Sequence, residues 1–335
     1  MHQNNPELKQ KYVILMPTFE FYYYALKELE TKDNVLMIWP MPQNNVLWDI
    51  CMFLWERFSF FRSWWTKKNI VRIRKNCNKR NFGDAFCFLL FGRFYLTWEQ
   101  EGFLSQIKKC FPNARIVLYF GDLIGKSDIA KMLKNQECPV DRYYTYDECE
   151  AKKYNISYLP YPYAARNELN LPSPKEKSDI CFLGQPKDRM QEIVEAYDML
   201  TEKGYRCSFH VVLSRKEYLF TKKHPGIHYH FRFIPYYKYL QISNRSKCIL
   251  EIIQHGSSCS AGRLCEAVSL GKRFITNNSR INENPLYDER YTFYLDDFYK
   301  LPRTILDGTV SYKNSERLSA GLFLKAIEKD LSNHS

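Results

Sequence analysis

What most constrains this chain is an alternation of short apolar runs and helix-period segments that starts, stops and starts again. After residue 177 the runs 180–183, 207–213, 249–253 and 274–276 read as strands, and 188–203, 237–244 and 261–270 between them read as helices. Before residue 164 the runs 12–16, 35–39, 84–90, 115–120 and 142–145 read as strands, with helices at 21–29 and at 102–110, the latter stopped by Pro112 and Asn113. Strand, helix and next strand in that order make the βαβ unit, whose crossover leaves neighbouring strands parallel and places helices over the sheet. Strands covered on both faces have no polar side, which is why most of these runs are predominantly apolar. Residues 164–177 between the two tracts are charged, contain Pro and show no period. The expected fold is α/β, with two Rossmann-like domains facing a central cleft: a first domain over 1–165, a linker at 166–177, a second domain over 178–312, and a polar C-terminal helix within 313–335.

The stretch 249–276, ILEIIQHGSSCSAGRLCEAVSLGKRFIT, carries the chemistry. Its order of strand, Gly/Ser loop, helix and strand presents a helix N-terminus to an anion. Gly256, Ser257, Ser258, Ser260 and Gly262 leave room for a ligand and supply amide and hydroxyl donors, and Arg263 adds a fixed positive charge in the first turn. Phosphate is the natural guest. Glu266, one turn on, shares a helix face with Gly262 and Arg263 and is placed to accept hydrogen bonds from vicinal hydroxyls such as those of a ribose. The plainer alternative is a surface acid paired with Arg263 or Lys272. A second loop, GQPKDR at 184–189, also joins a strand to a helix. Gly184 there gives room, and Lys187 or Arg189 would neutralise a second phosphate.

These segments resemble GT-B glycosyltransferases, most nearly the bacterial lipopolysaccharide and capsule biosynthesis transferases. In that group a Gly-ending strand, a helix, a YxxYL-like segment and an LxEAxxxGK phrase recur in order; here they are 182–184, 188–203, 236–240 and 264–272. The likeness extends over about 178–280. It implies a metal-independent transfer of a sugar from a nucleotide-diphosphate donor to a glycan or lipid-linked acceptor in surface polysaccharide synthesis. It further implies that 233–239, with Tyr236 and Tyr237, meets the nucleotide base, and that the terminal helix returns toward the first domain. Many retaining enzymes of this kind carry a second glutamate eight residues before the ribose-binding one, and that position is Ser258. Their Arg and Lys after the glycine are likewise absent, Gln185 and Met190 standing there. Both anomeric outcomes therefore stay open. An inverting transfer needs a base for the acceptor hydroxyl. Asp122, in YFGDLIG after a strand, is the first candidate and Glu20 the second.

A net charge of +12 fits an anionic partner: a nucleotide sugar, an anionic membrane or nucleic acid. Nucleic acid is not expected, because the chain carries no RNP, KH or zinc-finger signature. The tract 46–65 is aromatic with a narrow polar stripe, and 67–80 is strongly basic. That order suits peripheral contact with an anionic membrane, the plainer reading being a buried helix followed by a solvated loop. Eleven cysteines without a CxxC pair read as reduced thiols of a cytoplasmic protein, and the peripheral membrane contact would place it at the inner face of the plasma membrane. No apolar segment of signal-peptide length precedes Pro17, and no run is long enough to span a membrane. The histidines lack metal-ligand spacing, and Asp296 and Asp297 are adjacent, so neither zinc nor a DxD metal clamp is expected. Two alternatives remain: a GT-B-fold nucleotide-sugar epimerase or hydrolase that needs no acceptor, and a non-catalytic binder of anionic membrane or nucleic acid.

Overall fold

The computed structural model describes residues 8–16, 20–39, 50–51, 53–54, 57–83, 85–92, 102–124, 133, 138–232, 234–254 and 262–333. The chain divides into two compact units, Met1–Tyr161 together with Ala320–Ser335, and Pro162–Ser319. Each contains one wholly parallel six-stranded sheet.

In the first unit the strands are β1 (Tyr12–Leu15), β2 (Val35–Ile38), β3 (Cys87–Phe91), β4 (Arg115–Phe120), β5 (Arg142–Thr145) and β6 (Ser157–Tyr158), in the order β2-β1-β3-β4-β5-β6. Its described helices include α1 (Glu20–Ala25), α2 (Ser59–Lys79), α3 (Phe103–Cys110) and α4 (Glu148–Tyr154). Every residue of β1 and β3 is buried, as expected of strands covered on both faces. One core gathers Val13, Phe88, Leu90, Ile116 and Leu118 of the sheet with Ile70 and Ile73 of α2 and Leu104 and Ile107 of α3.

The second unit has β7 (Ser178–Gly184), β8 (Cys207–Val212), β9 (His228–His230), β10 (Ser246–Glu251), β11 (Arg273–Thr276) and β12 (Thr292–Tyr294), in the order β12-β11-β10-β7-β8-β9. Its helices are α5 (Met190–Glu202), α6 (Arg215–Phe220), α7 (Tyr236–Asn244), α8 (Gly262–Leu270) and α9 (Leu295–Phe298). Ile193, Ala196 and Leu200 place one stripe of α5 in the core with Phe182 and Phe209. The chain steps outward from β7 to β9 and then returns to β10 on the other side of β7. The loops leaving the carboxyl ends of β7 and β10 therefore part in opposite directions, which makes this the switch point where open α/β sheets bind ligands.

The last helix, α10 (Ala320–Asn333), belongs to the first unit. It is amphipathic rather than polar: Phe323, Leu324, Ile327 and Leu331 are buried. Phe323 meets Tyr119 edge-on at 5.2 Å, and the Tyr12 hydroxyl donates to the Leu324 carbonyl at 3.0 Å. At its start, the buried Glu28 carboxylate accepts from the Ala320 and Gly321 amides at 2.7 and 3.2 Å, a negative charge at the positive end of the helix.

Short elements absent from the expectations above include β6, β12, α6 and α9. The basic tract is also no loop, since α2 runs unbroken through it to Lys79. Among the described residues no helix is long and apolar enough to cross a membrane.

Candidate functional site

At the carboxyl edge of the second sheet, α5 and α8 are the helices that follow the adjacent central strands β7 and β10 in sequence. Two helix N-termini, each carrying the positive end of a helix dipole, thus follow the two strands that flank the switch point. Arg189 fixes the approach to the first of them. It donates through Nη2 to the Gln185 carbonyl at 2.6 Å, through Nε to the Pro186 carbonyl at 3.1 Å, and through Nη1 to the Ile252 carbonyl. Its planar fork ties the loop after β7 to the loop after β10. Burial draws its pKa below the ordinary guanidinium value. Arg189 is therefore engaged as a latch between carbonyls, whereas Lys187 is exposed and donates to Gln254 Oε1 at 2.9 Å. Gly184 closes β7, and a Cβ there would make only ordinary contact, 3.7 Å from the Phe182 ring.

Glu266 is 3 % exposed, which excludes the surface-acid reading. It accepts from Arg263 Nη1 at 2.5 Å and from the Tyr236 hydroxyl. Arg263 also donates through Nη2 to the Leu183 carbonyl at 2.6 Å, and its guanidinium lies 3.9 Å from the Tyr239 ring centroid. Tyr236 and Tyr239, one turn apart on α7, stack with centroids 5.4 Å apart. The Tyr239 hydroxyl donates to the same Leu183 carbonyl at 3.1 Å, and the Tyr236 hydroxyl lies 2.7 Å from that of Tyr163. Lys272 pairs elsewhere, with Glu176 at 3.8 Å.

The electrostatics follow from this packing. Burial raises the Glu266 carboxyl above its ordinary value, and Arg263 with the two hydrogen bonds opposes the rise. Burial and then the Glu266 charge hold the Tyr236 phenol well above its usual range, so it stays protonated as a donor. The same two influences act on Tyr163. A carboxylate is thus set between a permanent cation and a phenol, one turn inside a helix that starts at the switch point. Such a group has acceptor lone pairs for hydroxyls and a guanidinium beside it for an anion.

The structure brings together Glu266, Arg263 and Tyr236 from the expected set, and adds Tyr163 and Tyr239. Tyr239 was visible as the second tyrosine of the YxxYL segment, whereas Tyr163 had no signal in the sequence. Tyr237 is exposed. Ser257, Ser258 and Ser260 lie outside the described residues. In the first unit, Glu20 opens α1 after β1 and Asp122 follows β4, both exposed. Gly121 beside Asp122 has no room for a side chain, since a Cβ would collide with the Tyr22 and Tyr161 hydroxyls. The Asp122 charge and, before it, burial raise the Tyr22 phenol. Among the described residues no group of three or more His, Cys, Asp or Glu side chains is arranged to hold a metal ion.

No protein-family model matches the chain, and no curated protein matches it. Solved structures do. An α,α-trehalose-phosphate synthase (UDP-forming) from Burkholderia xenovorans, in complex with glucose-6-phosphate, is 10% identical, with 96% of this chain and 100% of that one covered and a TM-score of 0.53. A trehalose-6-phosphate structure from E. coli bound with UDP-2-fluoro glucose is 12% identical, with 96% of both chains covered and a TM-score of 0.49. UDP-N-acetylglucosamine 2-epimerase from Rickettsia bellii is 9% identical, with 96% and 95% covered and a TM-score of 0.48. What the chain shares with the first of these is the fold, two parallel α/β sheets of the GT-B class.

Proposed function

We propose that the chain is a glycosyltransferase that binds a nucleotide-diphosphate sugar in its second unit and passes the sugar to a glycan or lipid-linked acceptor of surface polysaccharide synthesis. The observation that carries this reading is the buried Glu266–Arg263 pair on α8, off the switch point between β7 and β10. Desolvating a carboxylate is costly, and a paired one at a ligand-binding edge is what recognition of ribose hydroxyls beside a diphosphate requires. The N-termini of α5 and α8 would receive the diphosphate, with Lys187, Arg263 and the amides around Gly184 and Gly262 near it. These groups stabilise the charge that grows on the leaving diphosphate. No metal enters this scheme. Tyr236 and Tyr237 stand beside the base. Asp122, or Glu20, takes the acceptor proton if the transfer inverts. The reaction belongs in the cytoplasm, at the inner face of the plasma membrane.

The UDP-forming synthase of the same fold makes uridine nucleotides the first to try. UDP or GDP without divalent metal is expected to stabilise the protein by about 2.7 kcal/mol at 100 times the dissociation constant, read as a rise in melting temperature. Absence of any stabilisation by nucleoside diphosphates, with or without magnesium, rejects the donor site. Product analysis with glycan acceptors then separates transfer from the alternative: an epimerised or hydrolysed sugar nucleotide formed without acceptor marks an epimerase or hydrolase.

A further inference from the structure

We propose that the solvent face of α2 is a docking surface for an anionic lipid bilayer. Thr66, Asn69, Ile70, Ile73 and Cys77 turn one side of this helix into the core of the first unit. At 3.6 residues per turn Phe60, Trp64 and Val71 fall together on the side away from it. These three are 71%, 50% and 67% exposed. Lys67 and Arg74 lie along one flank of that apolar line and Lys68 and Lys75 along the other, all exposed. Lys68 Nζ is 4.7 Å from the Trp64 ring centroid, so its charge sits beside the apolar line. Just upstream, Phe58 extends the line, its ring centroid 5.5 Å from that of Phe60.

Single exposed apolar side chains need no explanation, but three in line with cations on both sides are an ordered patch. An aromatic and aliphatic centre that enters the acyl boundary, with Lys and Arg at the level of the headgroups, is the composition of an interfacial helix. From Phe60 to Val71 the line runs about 16 Å along the axis, so the helix would lie parallel to the surface. α2 carries seven basic residues and no acidic one. A second copy would set those cations against themselves in a two-fold contact. Single-stranded nucleic acid matches the charge, but Val71 offers no ring for a base to stack on. The anionic bilayer satisfies both the charge and the apolar line. This inference is independent of the nucleotide-sugar reading, and its test uses no nucleotide.

The full chain is sedimented with phosphatidylcholine vesicles and with vesicles containing about 30% phosphatidylglycerol. Binding is expected to the anionic vesicles, far less to the neutral ones, and to weaken with salt. Phe60→Ser with Trp64→Ser should weaken it at least about tenfold. Lys67→Glu with Lys68→Glu should weaken it about fivefold or more per residue. Val71→Ser, a single change at an exposed site, repeats the test of the apolar line, and the melting temperature of each variant reports its fold. Failure to bind anionic vesicles, or equal binding by folded variants, overturns the proposal. So does binding to single-stranded nucleic acid, or self-association, that is lost in the same variants while vesicles are ignored.

Discussion

Glu266 has almost no access to water, yet it keeps two donors of unlike kind, a guanidinium that cannot lose its proton and a phenol that holds its own. Removing one partner of such a pair is worse than changing both, because the survivor is left as an uncompensated buried charge. Arg263→Ala is therefore expected to destabilise the protein by about 3–5 kcal/mol, and Glu266→Gln, which keeps an acceptor for Tyr236, by about 1–3 kcal/mol. The double variant should cost clearly less than the sum. Urea unfolding of the four proteins measures this, and simple additivity would show that the two side chains act apart. Both single variants, where folded, should also weaken nucleoside diphosphate binding by about 1.5–3 kcal/mol. The burial of Glu266 was not legible in the sequence. Its helix phase was, because Gly262, Arg263 and Glu266 are local, but Tyr163 reaches it through Tyr236 from far along the chain, and no pattern of spacing records that.

The β8–β9 edge is the element with the clearest response to pH. His210 and His228 stack at 4.8 Å, and His210 Nδ1 lies 3.0 Å from His230 Nε2. Burial, then the charges of His228 and His230, pulls the His210 pKa down from 6.5 to about 4. A histidine kept neutral by the fold binds fewer protons there than in the unfolded chain. Its contribution is thus whole above about pH 6.5 and is lost as the pH falls toward about 4. Between those values the native protein should lose roughly 2–3 kcal/mol more stability than His210→Phe, as measured by denaturant unfolding at each pH. The strands themselves were largely readable. β4 begins and ends where its run does, because both faces of this parallel strand are covered from Ile116 to Phe120. β6 and β12, of two and three residues at sheet edges, are too short to carry a period of their own. The latch made by Arg189 is of the same invisible kind: it depends on carbonyl directions at the ends of β7 and β10, which no side-chain pattern encodes.

At the scale of the whole molecule, the first unit is built from two separated pieces of chain, the second of which is α10. Ending the chain after Ser319 would uncover the sheet beneath Phe323, Leu324, Ile327 and Leu331 and remove the two amides that bond Glu28. At about 1.5–3 kcal/mol for each fully buried side chain, that loss is comparable to the entire stability of an ordinary domain. The shortened protein should therefore lose the first unit to protease while the second resists, and equal resistance of both would show that α10 is an accessory. The same arrangement sets a timetable for synthesis. The strands of the first unit leave the ribosome early, but the helix that seals one side of their sheet comes only after the whole second unit has been translated. At about 5–20 residues per second this interval is on the order of ten to thirty seconds. Throughout it, β1, β3 and β4 stand with one apolar side unsealed, so the second unit, though made later, is the first that can be complete, and the first is the one that nascent-chain chaperones would have to guard.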